Sequence, residues 1–185
     1  MFIRIKKIRK KDKVYQYAYI VENRWRKRPK RGRKGARQKV KGYLGRVYFP
    51  DKQESKDFFE HYNINDIEGY VKDNKHNRTR IVNELVKLEL INHGFKEKEG
   101  ILFFNSIFFD IGNNELHSIN EKNIKNKKVV LKINDGFMCN ETINKLVKGS
   151  FGDETGYEFA KAFVDAGINI PKELFVKLYE SMVKL

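Results

Sequence analysis

One cysteine, three prolines and four histidines are all that 185 residues offer of the types that staple, kink or ligate. Cys139 alone closes no intramolecular disulfide and builds no cysteine-cluster zinc site. Lying between Met138 and Asn140 beside an apolar run, it reads as a small core residue. His61, His76, His93 and His117 show no paired ligand spacing, so no metal site is expected. His93, in Asn92-His93-Gly94, reads as a helix C-terminal residue favoured by the dipole. Apolar runs such as Ile107-Phe108-Phe109 fall far short of the ~20 residues of a membrane span. The opening Met1-Phe2-Ile3-Arg4-Ile5-Lys6 is too charged and too briefly apolar for a secretion signal. A cytoplasmic protein with no membrane partner is therefore expected. No serine-hydrolase elbow, Walker or dinucleotide pattern is present. Gly32-Arg33-Lys34-Gly35 lacks the spacing and the strand–helix setting of a phosphate loop, so no cofactor is expected.

Negative charge is scarcest at the front. Residues 1–48 hold 19 Lys/Arg against two acids, Asp12 and Glu22, a net of +17. Residues 49–185 hold 20 Lys/Arg and 22 Asp/Glu, a net of −2. Charge needed only for solubility would be spread out; segregated charge calls for a polyanionic partner. Nine cations fall in the 14 residues of segment 24–37: Arg24, Arg26, Lys27, Arg28, Lys30, Arg31, Arg33, Lys34 and Arg37. Arginine forks pair with phosphate in two-point contacts, and Lys39 and Lys41 extend the run. Trp25 beside these cations supplies a ring for stacking on bases. The stripe Tyr15, Tyr17, Tyr19 on the preceding strand reads first as sheet core, and only second as a stacking platform.

Alternation and turn residues predict strands over 2–8, 14–25 and 38–49, with Pro29, Gly32 and Gly35 interrupting the last connection. Pro50-Asp51 marks a boundary. Short helices are expected over 55–62, with Ser55 as N-cap, and over 66–72. A longer one spans 77–92, capped by Asn77 or Thr79 and closed by Gly94. Strands follow at 101–104, 107–109 and 129–133, with an exposed loop over 120–128. Helices over 140–148, 153–166 and 171–184 complete the chain, the last two as an αα-hairpin suited to a protein partner or to self-association. The expected architecture is α+β: a small basic three-stranded antiparallel sheet (1–49), then a helix-rich domain with a few strands (50–185). Within the latter, 54–111 has the order of a winged helix, which would turn Arg80, Asn83 and Lys87 toward a major groove. Glu84 in the middle of that face favours a plain solvated helix instead.

The opening Met1-Phe2-Ile3-Arg4, the Tyr-rich second strand with Val21-Glu22-Asn23, and the run from Arg37-Gln38-Lys39-Val40 to Tyr43-Leu44-Gly45-Arg46-Val47 resemble the N-terminal β module of IS4/IS1634-type transposases. The same opening is seen on archaeal proteins of unknown function. The resemblance covers about 48 residues and implies association with DNA. A nucleic-acid-binding protein without enzymatic activity is expected, DNA favoured, gripping the backbone through segment 24–37. RNA binding in a ribonucleoprotein such as the ribosome is the alternative. A metal-dependent nuclease or transposase relative using Asp110 and Asp135, with Glu154 or Glu158 behind them, is a further one. Both aspartates also sit in ordinary turn sequences, Asp110-Ile111-Gly112-Asn113 and Asp135-Gly136.

Overall fold

The structure, a computed structural model, describes residues 1–26, 35–73, 78–120, 123–148 and 156–183. Three long strands open it: β1 (Phe2–Lys10), β2 (Lys13–Arg26) and β3 (Gly35–Tyr48), paired as an antiparallel meander. β-branched and aromatic residues on both faces favour this state. Helices α1 (Phe58–His61), α2 (Ile67–Asp73) and α3 (Arg78–Asn92) follow. Asp57, not Ser55, caps α1: its carboxylate accepts from the Phe59 and Glu60 amides at 2.8 and 3.1 Å. Thr79 lies inside α3, and Asn77 falls outside the described residues. Gly94 closes α3 at φ +83°, donating to the Ile91 carbonyl at 2.9 Å while Phe95 donates to Leu90 at 3.1 Å. That left-handed cap suits glycine because it has no Cβ.

Strands β4 (Lys96–Lys98), β5 (Ile101–Phe104), β6 (Ile107–Asp110), β7 (Glu115–Asn120) and β8 (Asn123–Ile133) then run antiparallel in sequence. Strand β9 (Gly136–Met138) turns back on β8 and leads into α4 (Asn140–Lys148), α5 (Gly156–Ala166) and α6 (Lys172–Val183). The lysine- and asparagine-rich stretch expected as a loop over 120–128 is instead mostly strand, the outer half of β8. Burial is continuous over Val129, Val130 and Leu131 at the inner end of β8, while positions 126–128 are exposed, so the polar outer end gives no apolar pattern to read.

The expected division into a small basic sheet and a helix-rich domain is wrong. The described residues form one mixed α/β fold around a nine-stranded sheet of order β1-β2-β3-β8-β7-β6-β5-β4, with β9 also on β8. The joint is a parallel pairing, Arg46, Val47 and Tyr48 beside Val129, Val130 and Leu131. Gly45 permits it: at φ +145° its own Cα faces the Lys128 carbonyl, where an added Cβ would lie 2.5 Å from the carbon. A pairing across some eighty residues of chain leaves no local pattern in the sequence.

Two apolar clusters share β8. Val129, Leu131 and Ile133 join the main core with α3, α4, α5, α6 and the β5–β7 strands. Val130, on the opposite face, joins Ala18, Leu44, Val47 and Cys139, with Ile3, Ile5 and Ile20 packed against them. The last two helices meet through rings, Phe175 of α6 lying 5.5 Å from Phe159 and 6.5 Å from Phe163 of α5. His93 is buried, with Nδ1 2.8 Å from the Glu89 carbonyl oxygen. The buried Glu89 carboxylate accepts from Asn134 Nδ2 at 2.8 Å and from the Asn169 amide at 3.3 Å, fastening α3 to two turns. Among the described residues no helix is long and apolar enough to cross a membrane.

Candidate nucleic-acid interface

β1 reaches only as far as Val21 on its neighbour, where Phe2 pairs. Beyond that point β2 and β3 continue alone as a two-stranded ribbon, Glu22 opposite Lys39 and Arg26 opposite Gly35. Arg24 lies directly opposite Arg37, and like charges so placed repel. Trp25 is 67% exposed beside them. Arg24, Trp25, Arg37, Gln38 and Lys39 line a shallow depression of about 550 Å³. Lys27, Arg28, Lys30, Arg31, Arg33 and Lys34, expected at the centre of the binding segment, lie outside the described residues.

One carboxylate serves this ribbon. Glu22 stands 3.2 Å from Arg24 Nε and 3.1 Å from Lys41 Nζ. The Lys41 ammonium, then the Arg24 guanidinium, holds its carboxyl below the usual range. Among the described residues no ion pair reaches Arg37, Lys39, Lys6, Lys7, Arg9, Lys10, Lys11 or Lys13, all exposed. Arg4 instead donates to the Gln38 side chain, tying β1 to β3.

The tyrosine stripe is not core. Strand alternation sends Ala18 and Ile20 into the second cluster and Tyr17 and Tyr19 to the other face, where both stay half-buried. Tyr43, paired with Tyr19 across the strands, is 45% exposed. Its ring centroid lies 5.4 Å from Tyr19 and 6.2 Å from Tyr17. Burial, with the neighbouring phenols, raises the Tyr43 hydroxyl above its ordinary pKa. Cations flank the rings. Lys6 Nζ sits 4.9 Å above Tyr19, and the Arg46 guanidinium lies 4.7 Å from the Tyr15 ring and 4.9 Å from that of Tyr48. A groove of about 420 Å³ runs from Tyr17, Tyr43, Arg46 and Tyr48 to Ser118, Lys127 and Lys128. Lys128 is paired with Glu141 at 2.8 Å, and Lys127 is exposed with no ion pair among the described residues.

Tyr43, Arg46 and Lys127 did not stand out in the sequence as site residues. The signal available was Arg46 on the same strand face as Tyr48 by alternation; Tyr43 joins that face only through the register shift in the β2–β3 pairing. Lys127 joins them only through the parallel β3–β8 joint.

Other expected sites do not assemble. Asp110 Oδ1 accepts from the Gly112 and Asn113 amides at 2.9 and 3.2 Å, and Oδ2 from Asn113 Nδ2 at 2.7 Å. These bonds, led by the Asn113 side chain, hold its carboxyl below the usual range. Asp135 lines a separate cavity between β1, β9 and α4–α5. Glu154 lies outside the described residues, and Glu158 is on α5. Among the described residues no three His, Cys, Asp or Glu side chains are grouped as a metal ion needs. On α3, Arg80 Nε is 3.1 Å from Glu84 and Lys87 Nζ 2.7 Å from Glu97, so both cations of the expected groove-facing set are taken by acids. Asn83 Oδ1 is buried without a hydrogen-bond partner. Burial pushes the Cys139 thiol up to about 11.

No protein-family model matches the chain, and neither a curated protein nor a solved structure matches it.

Proposed function

We propose that the protein binds nucleic acid, DNA favoured, without acting on it as an enzyme. The cationic ribbon and segment 24–37 would grip the phosphate backbone. The observation that carries this reading is the exposed, largely uncompensated positive charge of β1–β3. Opposed arginines at 24 and 37 repel, and Glu22 pairs with Arg24 alone of the two, so a further anion beside Arg37 would stabilise the ribbon. A phosphate supplies that anion, and each contact releases condensed counterions. A two-stranded β-ribbon also fits the major groove. The transposase-like opening favours DNA over RNA. The self-satisfied turn around Asp110 supports a binding role over cleavage.

Titration of a duplex across a salt series tests the reading. About six phosphate contacts give a slope of log K on log salt near −5. The triple change Arg24→Ala, Arg37→Ala, Lys39→Ala is expected to flatten it by roughly 2–3. An unchanged slope would remove the ribbon from the interface.

A further inference from the structure

We propose that the tyrosine face of β1–β3, with the groove beside it, holds an unpaired nucleotide segment, so that the protein prefers a duplex carrying a single-stranded DNA tail to a blunt one. The inference rests on the function proposed above and deepens it by naming the form of nucleic acid.

Four features of the face support it. First, the Tyr43 ring lies within 6.2 Å of both Tyr17 and Tyr19 on one surface, and Tyr43 is nearly half exposed. Flat aromatic surface at this exposure takes bases of any sequence, since every base has a π-face. Second, a buried core needs no cations among its rings, yet Lys6 and Arg46 sit on Tyr19, Tyr15 and Tyr48. A guanidinium laid on a ring keeps its in-plane N–H donors for phosphate oxygens. Third, the groove has a volume of about 420 Å³, inside the roughly 300–1,000 Å³ of small-ligand clefts. Its described lining carries no carboxylate, and with Lys128 paired to Glu141, Arg46 and Lys127 are the lining cations left for the phosphates of a nucleotide segment. Fourth, the face begins where the two-stranded ribbon ends: Val21 pairs Val40, and Tyr19 pairs Tyr43 two positions further in. A strand leaving a duplex held on the ribbon meets the tyrosines next. Paired bases cannot offer their faces to these rings, so only an unpaired segment gains from them.

Three probes separate the claims: an oligo(dT) of roughly 15 nucleotides, a blunt duplex, and the same duplex with a single-stranded tail. The tailed duplex is expected to bind tightest. Tyr43→Leu and Tyr19→Leu each weaken oligo(dT) and tailed duplex by at least about fivefold while blunt-duplex affinity holds. Tyr43→Phe, which keeps the ring, retains the preference. A second readout needs no change on the face. In the unaltered protein, oligo(dT) quenches the tyrosine emission band, resolved from that of Trp25, and blunt duplex does not. Equal affinity for blunt and tailed duplex, equal weakening of all three probes by the leucine variants, or unquenched emission would each overturn the proposal. If duplex binding with its salt slope persists in those cases, the function proposed above stands without it. Absence of binding to every probe removes both.

Discussion

Seven cations in the body of the protein each have a carboxylate partner of their own, while on the first three strands only Arg24 and Lys41 reach one among the described residues. Beyond residue 50, Lys56, Lys72, Arg80, Lys87, Lys128, Lys161 and Lys177 each sit within 3.5 Å of a carboxylate. In β1–β3 two cations share one glutamate, and arginines face each other across the ribbon. Exposed pairs of the first kind contribute about 0–1 kcal/mol and serve solubility. In the second arrangement Glu22 offsets the repulsion only in part, and this is the opening that the proposed anionic partner would fill. The two regions hold nearly equal numbers of cations, 19 and 20; the location of the acids is what separates them.

The comparison breaks hardest on a matched pair of substitutions. Phe163 is buried between Phe159 and Phe175, while Trp25 stands on the ribbon 67% exposed. Phe163→Ala removes a packed ring and costs about 3–5 kcal/mol, a large share of a domain's stability. Trp25→Ala leaves stability within about 0.5 kcal/mol, and weakens nucleic-acid binding instead. Thermal melts and a gel shift on both variants check this. A destabilised Trp25→Ala protein would mean that the ribbon is part of the core.

The thiol measures how firmly the ribbon's base is seated. Cys139 is buried in the cluster that joins Ala18, Leu44 and Val47 to Val130. With its pKa pushed up to about 11 from an ordinary 9.0, it offers roughly a hundredfold less thiolate at neutral pH. Because the folded chain holds the proton more tightly, this contribution to stability is full below the ordinary thiol range and is lost as pH climbs toward 11. A thiol reagent is expected to react at the rate of global unfolding. Rapid labelling of native protein at neutral pH would show the base of the ribbon opening on its own.

Gly45→Ala strikes the joint between the two regions. The new Cβ would meet the Lys128 backbone at 2.5 Å, at a φ of +145° that side chains rarely adopt. Strain of this kind costs about 1–3 kcal/mol. One cooperative melt shifted downward is expected, since a single sheet links ribbon and body. Two separate transitions, with the body's unchanged, would restore the two-domain division that the sequence had predicted.

That division shows which levels of structure the sequence carries. Local signals worked where local chemistry decides: the meander of β1–β3, the apolar arc of α3 and its Gly94 cap, and the strands β5 and β6 all follow from alternation, apolar runs and turn residues. Sheet order did not, because β3 meets β8 by a parallel pairing fixed by a close approach at Gly45 rather than by a turn. The same joint hid the groove, since Arg46 and Lys127 are neighbours only across it. The tyrosine stripe was visible, but its exposure depends on which face the helices cover. That is a tertiary fact, decided by Ala18 and Ile20 packing inward.

The smallest effect is the sharpest test of where nucleic acid binds. If α3 were a recognition helix in a winged-helix arrangement, Arg80 and Lys87 would contact DNA, and losing them would weaken the complex about as much as losing ribbon arginines. The structure ties Arg80 to Glu84 and Lys87 to Glu97, with the Glu84 carboxylate also accepting from Tyr70. A phosphate approaching this face would have to displace those acids. Arg80→Ala with Lys87→Ala is therefore expected to change duplex affinity by less than about twofold and leave the salt slope alone, at a stability cost of at most about 1 kcal/mol per pair. Arg24→Ala with Arg37→Ala removes the same two charges from a place where, among the described residues, no acid answers Arg37, and is expected to flatten the slope by nearly 2. Equal effects from the two double variants would make position irrelevant and total charge sufficient. A dominant effect from α3 would move the interface to the helix.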